Sequence, residues 1–247
     1  MYEDHKINDV DMMWAKVENS LSFDRPSSYF VILKKYNCLD KWFPELKALI
    51  GVPAGPKEWH PEEDAFDHAM NALDYASQLT GDIGVRWAAL CHDLGKGKTD
   101  PSLWPYHQNH DKLGVIEINR LCERFKLSDR LTKSAVMACE EHMRSHRLEE
   151  MNAGKAVRFL QRIGNFPSGI EGFCFVITAD SKHLLADSHE INGKNRIVEL
   201  IKFAYPRIMK ISLPDHQCGR GEISSNILLN MRCHEWKRLK VEFYKSL

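Results

Sequence analysis

Residues 83–97 read IGVRWAALCHDLGKG. Val85, Ala88 and His92 fall in line at helical spacing, and Gly95 and Gly97 end the run, so the stretch reads as a helix over Ile83–Leu94. His92 and Asp93 lie at the inner end of that apolar stripe. A ring nitrogen or carboxylate facing a core is costly unless it is paired or bound to a cation. The same arrangement recurs outward in both directions. A helix over Glu62–Leu79 carries Ala65, Ala69, Ala72, Ala76 and Leu79 on one face, with His68 beside Ala72 and Ala76. A helix over Asp129–Arg144 aligns Leu131, Ala135, Ala138 and His142, and one over Gly169–Ser181 aligns Ile170, Phe173, Ile177 and Asp180. Four helices thus each turn a metal-capable side chain inward, and a bundle core lined with His and carboxylate is a standard way to build a metal site. That donor set suits Fe, Mn, Ni, Co or Zn better than Ca.

The rest of the chain is also helical in pattern. Short helices are expected at Met12–Leu21, Ser27–Tyr36 and Leu39–Leu49, with Pro26 marking the start of the second. The proline- and glycine-rich run GVPAGPKEWHP (51–61) is a loop. A helix over Asp111–Phe125 is expected to pack through Leu113, Ile116, Leu121 and Phe125. Two more lie near His189–Met209 and Glu222–Tyr244, separated by the turn SLPDHQCGRG. Strand-like alternation is absent, so the fold expected is an all-α bundle. Its organisation reads as a helical lead-in (1–58) packed on a core (59–190), completed by C-terminal helices (191–247) of the same domain.

Composition narrows the function. Lys+Arg and Asp+Glu each number 34, which argues against a strong nucleic-acid or membrane-surface field. The seven cysteines show no CxxC pair, and the N-terminus MYEDHKINDVDMMW lacks signal-peptide character. No apolar run approaches the ~18 residues of a membrane span. A reducing cytoplasmic setting is the expectation. Lys96 follows the His92-Asp93 pair at the end of its helix, where an ammonium suits a phosphate oxygen, and Gly95 and Gly97 let backbone approach a ligand.

The runs WHPEEDAFDH (59–68) and LCHDLGKGKTDPSLWPYHQNHDKLG (90–114) closely resemble the HD domain of bacterial CCA-adding tRNA nucleotidyltransferases. RPSSYFVILKKYNCLDKWFPELKALIGVP (25–53) resembles the helical stretch before that domain. A looser likeness continues through TAD (178–180) and GEISSNILLNMR (221–232), covering roughly residues 22 to 240. The resemblance implies an HD-superfamily, metal-dependent phosphohydrolase of 2′,3′-cyclic phosphodiesterase, 2′-nucleotidase or phosphatase type, often favouring Ni²⁺. It implies His68, His92, Asp93 and Asp180 as core metal ligands. His110 and His142 fall where related enzymes place further histidines, for a second ion or for substrate. Lys96, His107 and Lys182 are the expected substrate contacts; Arg147 is a weaker candidate. His60 would orient the site from behind and Trp59 would pack, while Glu62 and Asp64 open their helix, where the dipole favours acid.

Two departures from the family bear on substrate. The span before residue 22 has no room for a nucleotidyltransferase head, so CCA addition is not expected. After Asp180 the family usually continues toward a Gly-Arg pair, where Ser181-Lys182-His183 stand here. The expected chemistry is in-line attack on phosphorus by a cation-activated water, with Asp93, Lys96, His110 and His142 at the reacting centre. The expected substrate is a nucleotide or RNA-end phosphate ester, tRNA included. The alternatives are a hydrolase of free or cyclic (oligo)nucleotides and a non-catalytic tRNA or RNA-end binding module. Oligomeric state is left open.

Overall fold

The computed structural model describes residues 9–57, 64–181, 190–191 and 194–247. Among these the fold is all-α. The lead-in comprises α1 (Asp9–Leu21), α2 (Ser27–Lys35), α3 (Leu39–Trp42) and α4 (Pro44–Lys47). The central helices are α5 (Ala65–Leu79), α6 (Ile83–Cys91), α7 (His110–Arg124) and α8 (Asp129–His146). The second half holds α9 (Ala153–Ile163), α10 (Gly169–Ser181), α11 (Arg196–Met209) and α12 (Glu222–Lys245).

Several boundaries differ from the sequence expectation, each for a local reason. The helix expected over Leu39–Leu49 is broken in two. Phe43, pushed out of the helical region by the following Pro44, sits at φ −136°, ψ 58°. Instead of opening at Glu62, α5 begins at Ala65, with Asp64 accepting a hydrogen bond from the Phe66 amide as its cap. α6 stops at Cys91, and a 3-10 turn over Leu94–Lys98 takes over, so Asp93 lies between the two at φ −111°, ψ 11°. α9 was not anticipated. Its signature was present in Asn152, which caps it through the Lys155 amide, and in the buried stripe Ala156, Val157, Leu160 and Ile163. α11 starts at Arg196, capped by Asn195, rather than at His189. Ahead of it a two-residue antiparallel pair joins Glu190–Ile191 to Lys194–Asn195. On α7 the buried face is Gly114, Ile118, Leu121 and Cys122, whereas Ile116 is half exposed.

α6 is the centre of the molecule. Every residue from Gly84 to Cys91 is buried. Trp87 and Leu90 join a core with the lead-in helices and α5, α7 and α8, and Val85 and Ala88 join a second core built from α8 to α12. A helix clamped on both sides delivers the two residues that follow it, His92 and Asp93, to a fixed place. The two turns beyond are held just as closely. An added Cβ on Gly95 would stand 1.9 Å from the His110 carbonyl and 2.4 Å from the Gly114 nitrogen. The 3-10 turn therefore rests directly on the backbone of α7. Gly95→Ala is expected to force these segments apart and destabilise the protein by about 1–3 kcal/mol, read as a fall in thermal midpoint together with weakened ion binding.

Candidate metal centre

The inner ends of α5, α6, α8 and α10 converge. His68 comes from the first turn of α5, His92 and Asp93 from the end of α6, and Asp180 from the last turn of α10, all buried. Their ligand atoms form a tight group. His68 Nε2 stands 3.3 Å from His92 Nε2, 3.2 Å from Asp180 Oδ1 and 3.4 Å from Asp93 Oδ2. His92 Nε2 is 3.2 Å from both Asp93 Oδ2 and Asp180 Oδ1. Ligand atoms bonded at about 2.0–2.2 Å to one ion stand about 3.0–3.5 Å apart, which is the spacing seen.

A second group shares Asp93. His110, at the start of α7, and His142, on α8, place their Nε2 atoms 3.2 Å from each other and 3.3 Å each from Asp93 Oδ1. One carboxylate thus serves both groups, Oδ2 facing the first and Oδ1 the second.

The hydrogen bonds around the rings assign their tautomers. His92 Nδ1 lies 2.8 Å from the Ala89 carbonyl, His110 Nδ1 2.9 Å from the His107 carbonyl, and His142 Nδ1 2.9 Å from the Cys139 carbonyl. A carbonyl can only accept, so each Nδ1 carries a proton and each Nε2 is the atom turned inward, free to offer a lone pair to a cation once it carries no proton of its own. Facing lone pairs and a buried Asp93 Oδ1 that accepts no hydrogen bond are unfavourable without a cation between them. The residues present therefore fit one or two divalent transition ions of the imidazole–carboxylate class.

The electrostatics agree. Burial alone would lower the His92 pKa, but the Asp93 and Asp180 carboxylates outweigh it and raise it to about 10. Burial would raise both carboxylates, yet His92 and Lys96 hold Asp93, and His92, His146 and His68 hold Asp180, well below the ordinary range. Burial lowers His142, which stays neutral near pH 7. An entering cation must displace the proton held on His92, while the carboxylates are already ionised and His142 already neutral. Ion affinity is thus expected to rise about tenfold per pH unit from roughly pH 6.5 to 9, as Mn²⁺ titrations at a series of pH values would measure.

The structure corrects two expected substrate contacts. Lys96 does not reach outward from a helix end. The α-helix has already stopped, and the 3-10 turn folds its ammonium back to 2.6 Å from Asp93 Oδ2 and 2.5 Å from the Ala54 carbonyl, with the residue 6% exposed. His107 is buried, and both ring nitrogens are engaged. Nε2 donates to the Pro53 carbonyl at 2.7 Å and Nδ1 lies 2.8 Å from Thr99 Oγ1. This is the opposite tautomer from the converging histidines, since burial keeps the ring neutral and the Pro53 carbonyl demands the proton on Nε2. His107 ties the 51–57 loop to the turn before α7 and aims no lone pair at the centre. Arg147 is exposed, 3.7 Å from Glu150. Lys182, with Trp59, His60 and Glu62, lies outside the described residues.

One residue escaped the sequence reading. His146, in the last turn of α8, places Nε2 3.1 Å from Asp180 Oδ2. The signal was its i, i+4 spacing from His142, concealed because the helix was expected to end at Arg144.

An all-α bundle with this His/Asp centre defines a class. The sequence model of the family described as "HD domain" matches residues 65–166, the stretch that carries His68, His92, Asp93, His110 and His142. The match is narrower than the expected core of 59–190, and Asp180 lies beyond its end. The chain is 36% identical over 175 residues to a "Multifunctional CCA protein" of Pseudoalteromonas atlantica, covering 70% of this chain and 43% of that relative. It is 38% identical over 175 residues to one of Hahella chejuensis, covering 70% and 41%. It is 37% identical over 153 residues to one of Psychromonas ingrahamii, covering 62% and 37%. The matched part spans about two fifths of the length of these relatives. No helix among the described residues is long and apolar enough to cross a membrane.

Proposed function

We propose that this chain is a metal-dependent phosphohydrolase that cleaves phosphate mono- or diesters of nucleotides or RNA ends, by the 2′,3′-cyclic phosphodiesterase, 2′-nucleotidase or phosphatase route. One observation carries the reading: His68, His92, His110 and His142 all bring Nε2 within 3.4 Å of the two oxygens of a single buried carboxylate, Asp93, and Asp180 Oδ1 faces His68 and His92 in the same group. Such an array supports a pair of divalent ions, with His68, His92, Asp93 and Asp180 holding the first and Asp93, His110 and His142 the second. When bound, the cations supply Lewis-acid charge and an acidified water for attack on phosphorus.

The chain's own residues do the rest. Backbone carbonyls of residues 89, 107 and 139 hold the His92, His110 and His142 rings in the required tautomer. The Lys96 ammonium neutralises part of the Asp93 charge and fixes the rotation of its carboxylate. The likeness to multifunctional CCA proteins favours RNA ends, tRNA among them, as the substrate class. Free and cyclic nucleotides are the competing substrates, and a binding module without turnover is the competing role. The lead-in helices, the HD core and the C-terminal helices are proposed to act as one domain, since both cores share α6.

The test is a matrix of metals (Ni²⁺, Mn²⁺, Co²⁺, Fe²⁺, Zn²⁺) against 2′,3′-cyclic AMP, 2′-AMP and bis-p-nitrophenyl phosphate. Turnover with at least one metal, abolished by chelation and restored by re-addition, is expected. Ion binding without hydrolysis of any ester, together with tight tRNA binding, would replace the enzyme by the binding module.

A further inference from the structure

Asp180 is the centre's least protected ligand by position. It lies one residue from the end of α10, where the helix's own hydrogen bonds run out. The end is tethered at the next residue, where Asn195 Nδ2 donates to Ser181 Oγ at 2.7 Å and Ser181 Oγ donates to the Ile177 carbonyl. Those contacts fix the backbone and do not engage the Asp180 carboxylate. The structure divides its two oxygens. Oδ1 faces His68 and His92 at 3.2 Å each, and Oδ2 faces His146 alone among the described ion-pair partners. His146 approaches from the solvent side: its side chain is 27% exposed, against at most 7% for each residue of the two ligand groups.

We propose that His146 is a positioning residue, donating Nε2–H to Asp180 Oδ2 so that Oδ1 points into the first ion position as a single-oxygen ligand. This rests on the metal-centre reading above. His142 and His146, one turn apart on α8, then serve the two halves of the centre differently, His142 as a ligand and His146 as the brace of a ligand on another helix. Because the brace acts through geometry rather than charge, any side chain with a donor at the Nε2 position should replace it, and an apolar one of similar size should not.

The experiment compares full-length wild type, His146→Gln, which keeps a terminal N–H donor, and His146→Leu, which does not. Mn²⁺ affinity is read by competition with a chromophoric chelator, and thermal midpoints are read with and without Mn²⁺. Partners that orient a ligand typically contribute about 10–100-fold to metal affinity, so His146→Leu should bind Mn²⁺ that much more weakly. His146→Gln should stay within about threefold of wild type, with the metal-free midpoints of all three alike. Unchanged affinity in His146→Leu, or equal weakening in both variants, overturns the brace while leaving the metal centre standing. A wild type that binds no Mn²⁺, Co²⁺ or Ni²⁺ overturns both.

Discussion

Asp93→Asn is expected to lower hydrolysis by at least about 10³-fold, equivalent to roughly 4 kcal/mol of barrier, and to remove ion binding from both positions. No other described side chain serves both ligand groups: Oδ2 meets His68 and His92, and Oδ1 meets His110 and His142. Asparagine keeps the shape and loses the charge, so four lone-pair donors remain with no bridging anion. The substitution has a second consequence. Lys96, 6% exposed, loses the carboxylate 2.6 Å from its ammonium, and a buried charge left without its partner costs about 3–5 kcal/mol. Loss of activity then has two possible origins, the missing ligand and unfolding, and the double variant Asp93→Asn, Lys96→Met separates them. Its thermal midpoint should recover most of the loss while hydrolysis stays abolished. Turnover persisting in folded Asp93→Asn protein would show that the centre does not act through bound cations.

The second large effect lies away from the chemistry. Arg86, on α6 and 5% exposed, donates to four backbone carbonyls: Leu21 at 2.6 Å, Phe23 at 3.0 Å, Thr80 at 2.7 Å and Ser77 at 2.9 Å. These carbonyls belong to the ends of α1 and α5, where helices run out of partners of their own. The guanidinium joins the lead-in to the helix that bears His68, and does so from the helix that ends in His92. Arg86→Met fills similar space and strands the acceptors. Each buried unsatisfied group costs about 1–3 kcal/mol, and partial access to water brings the expected total to about 3–5 kcal/mol. For a chain of this size that lowers the thermal midpoint by about 6–20 °C, measurable by circular dichroism. A drop below about 2 °C would mean that water replaces the guanidinium at all four carbonyls.

Much of the centre was readable because helical periodicity is local. His68 shares a face with Ala72 and Ala76, and His142 with Ala135 and Ala138, so their inward direction follows from spacing alone, as it does for His92 and Asp180. The elements that were misread depend on competition between local signals. Pro44 cut a helix whose apolar pattern ran straight through it, and α9 was lost between a histidine-rich helix and the loop before Gly169. His146 was hidden by a boundary placed two residues early.

The amino-acid order by itself determined that the protein is a helical bundle with ionisable side chains facing its core, because apolar period and the cost of burying charge are properties of the chain. Only the tertiary structure decided what those side chains do to one another. Lys96 turns inward because a 3-10 turn replaces the last turn of α6, and Gly95 lets that turn lie on the backbone of α7. His107 and His110 stand three residues apart and carry opposite tautomers because one meets the Pro53 carbonyl through Nε2 and the other meets the His107 carbonyl through Nδ1. These partners lie on distant segments or depend on the path of the backbone, and residue spacing carries no record of either.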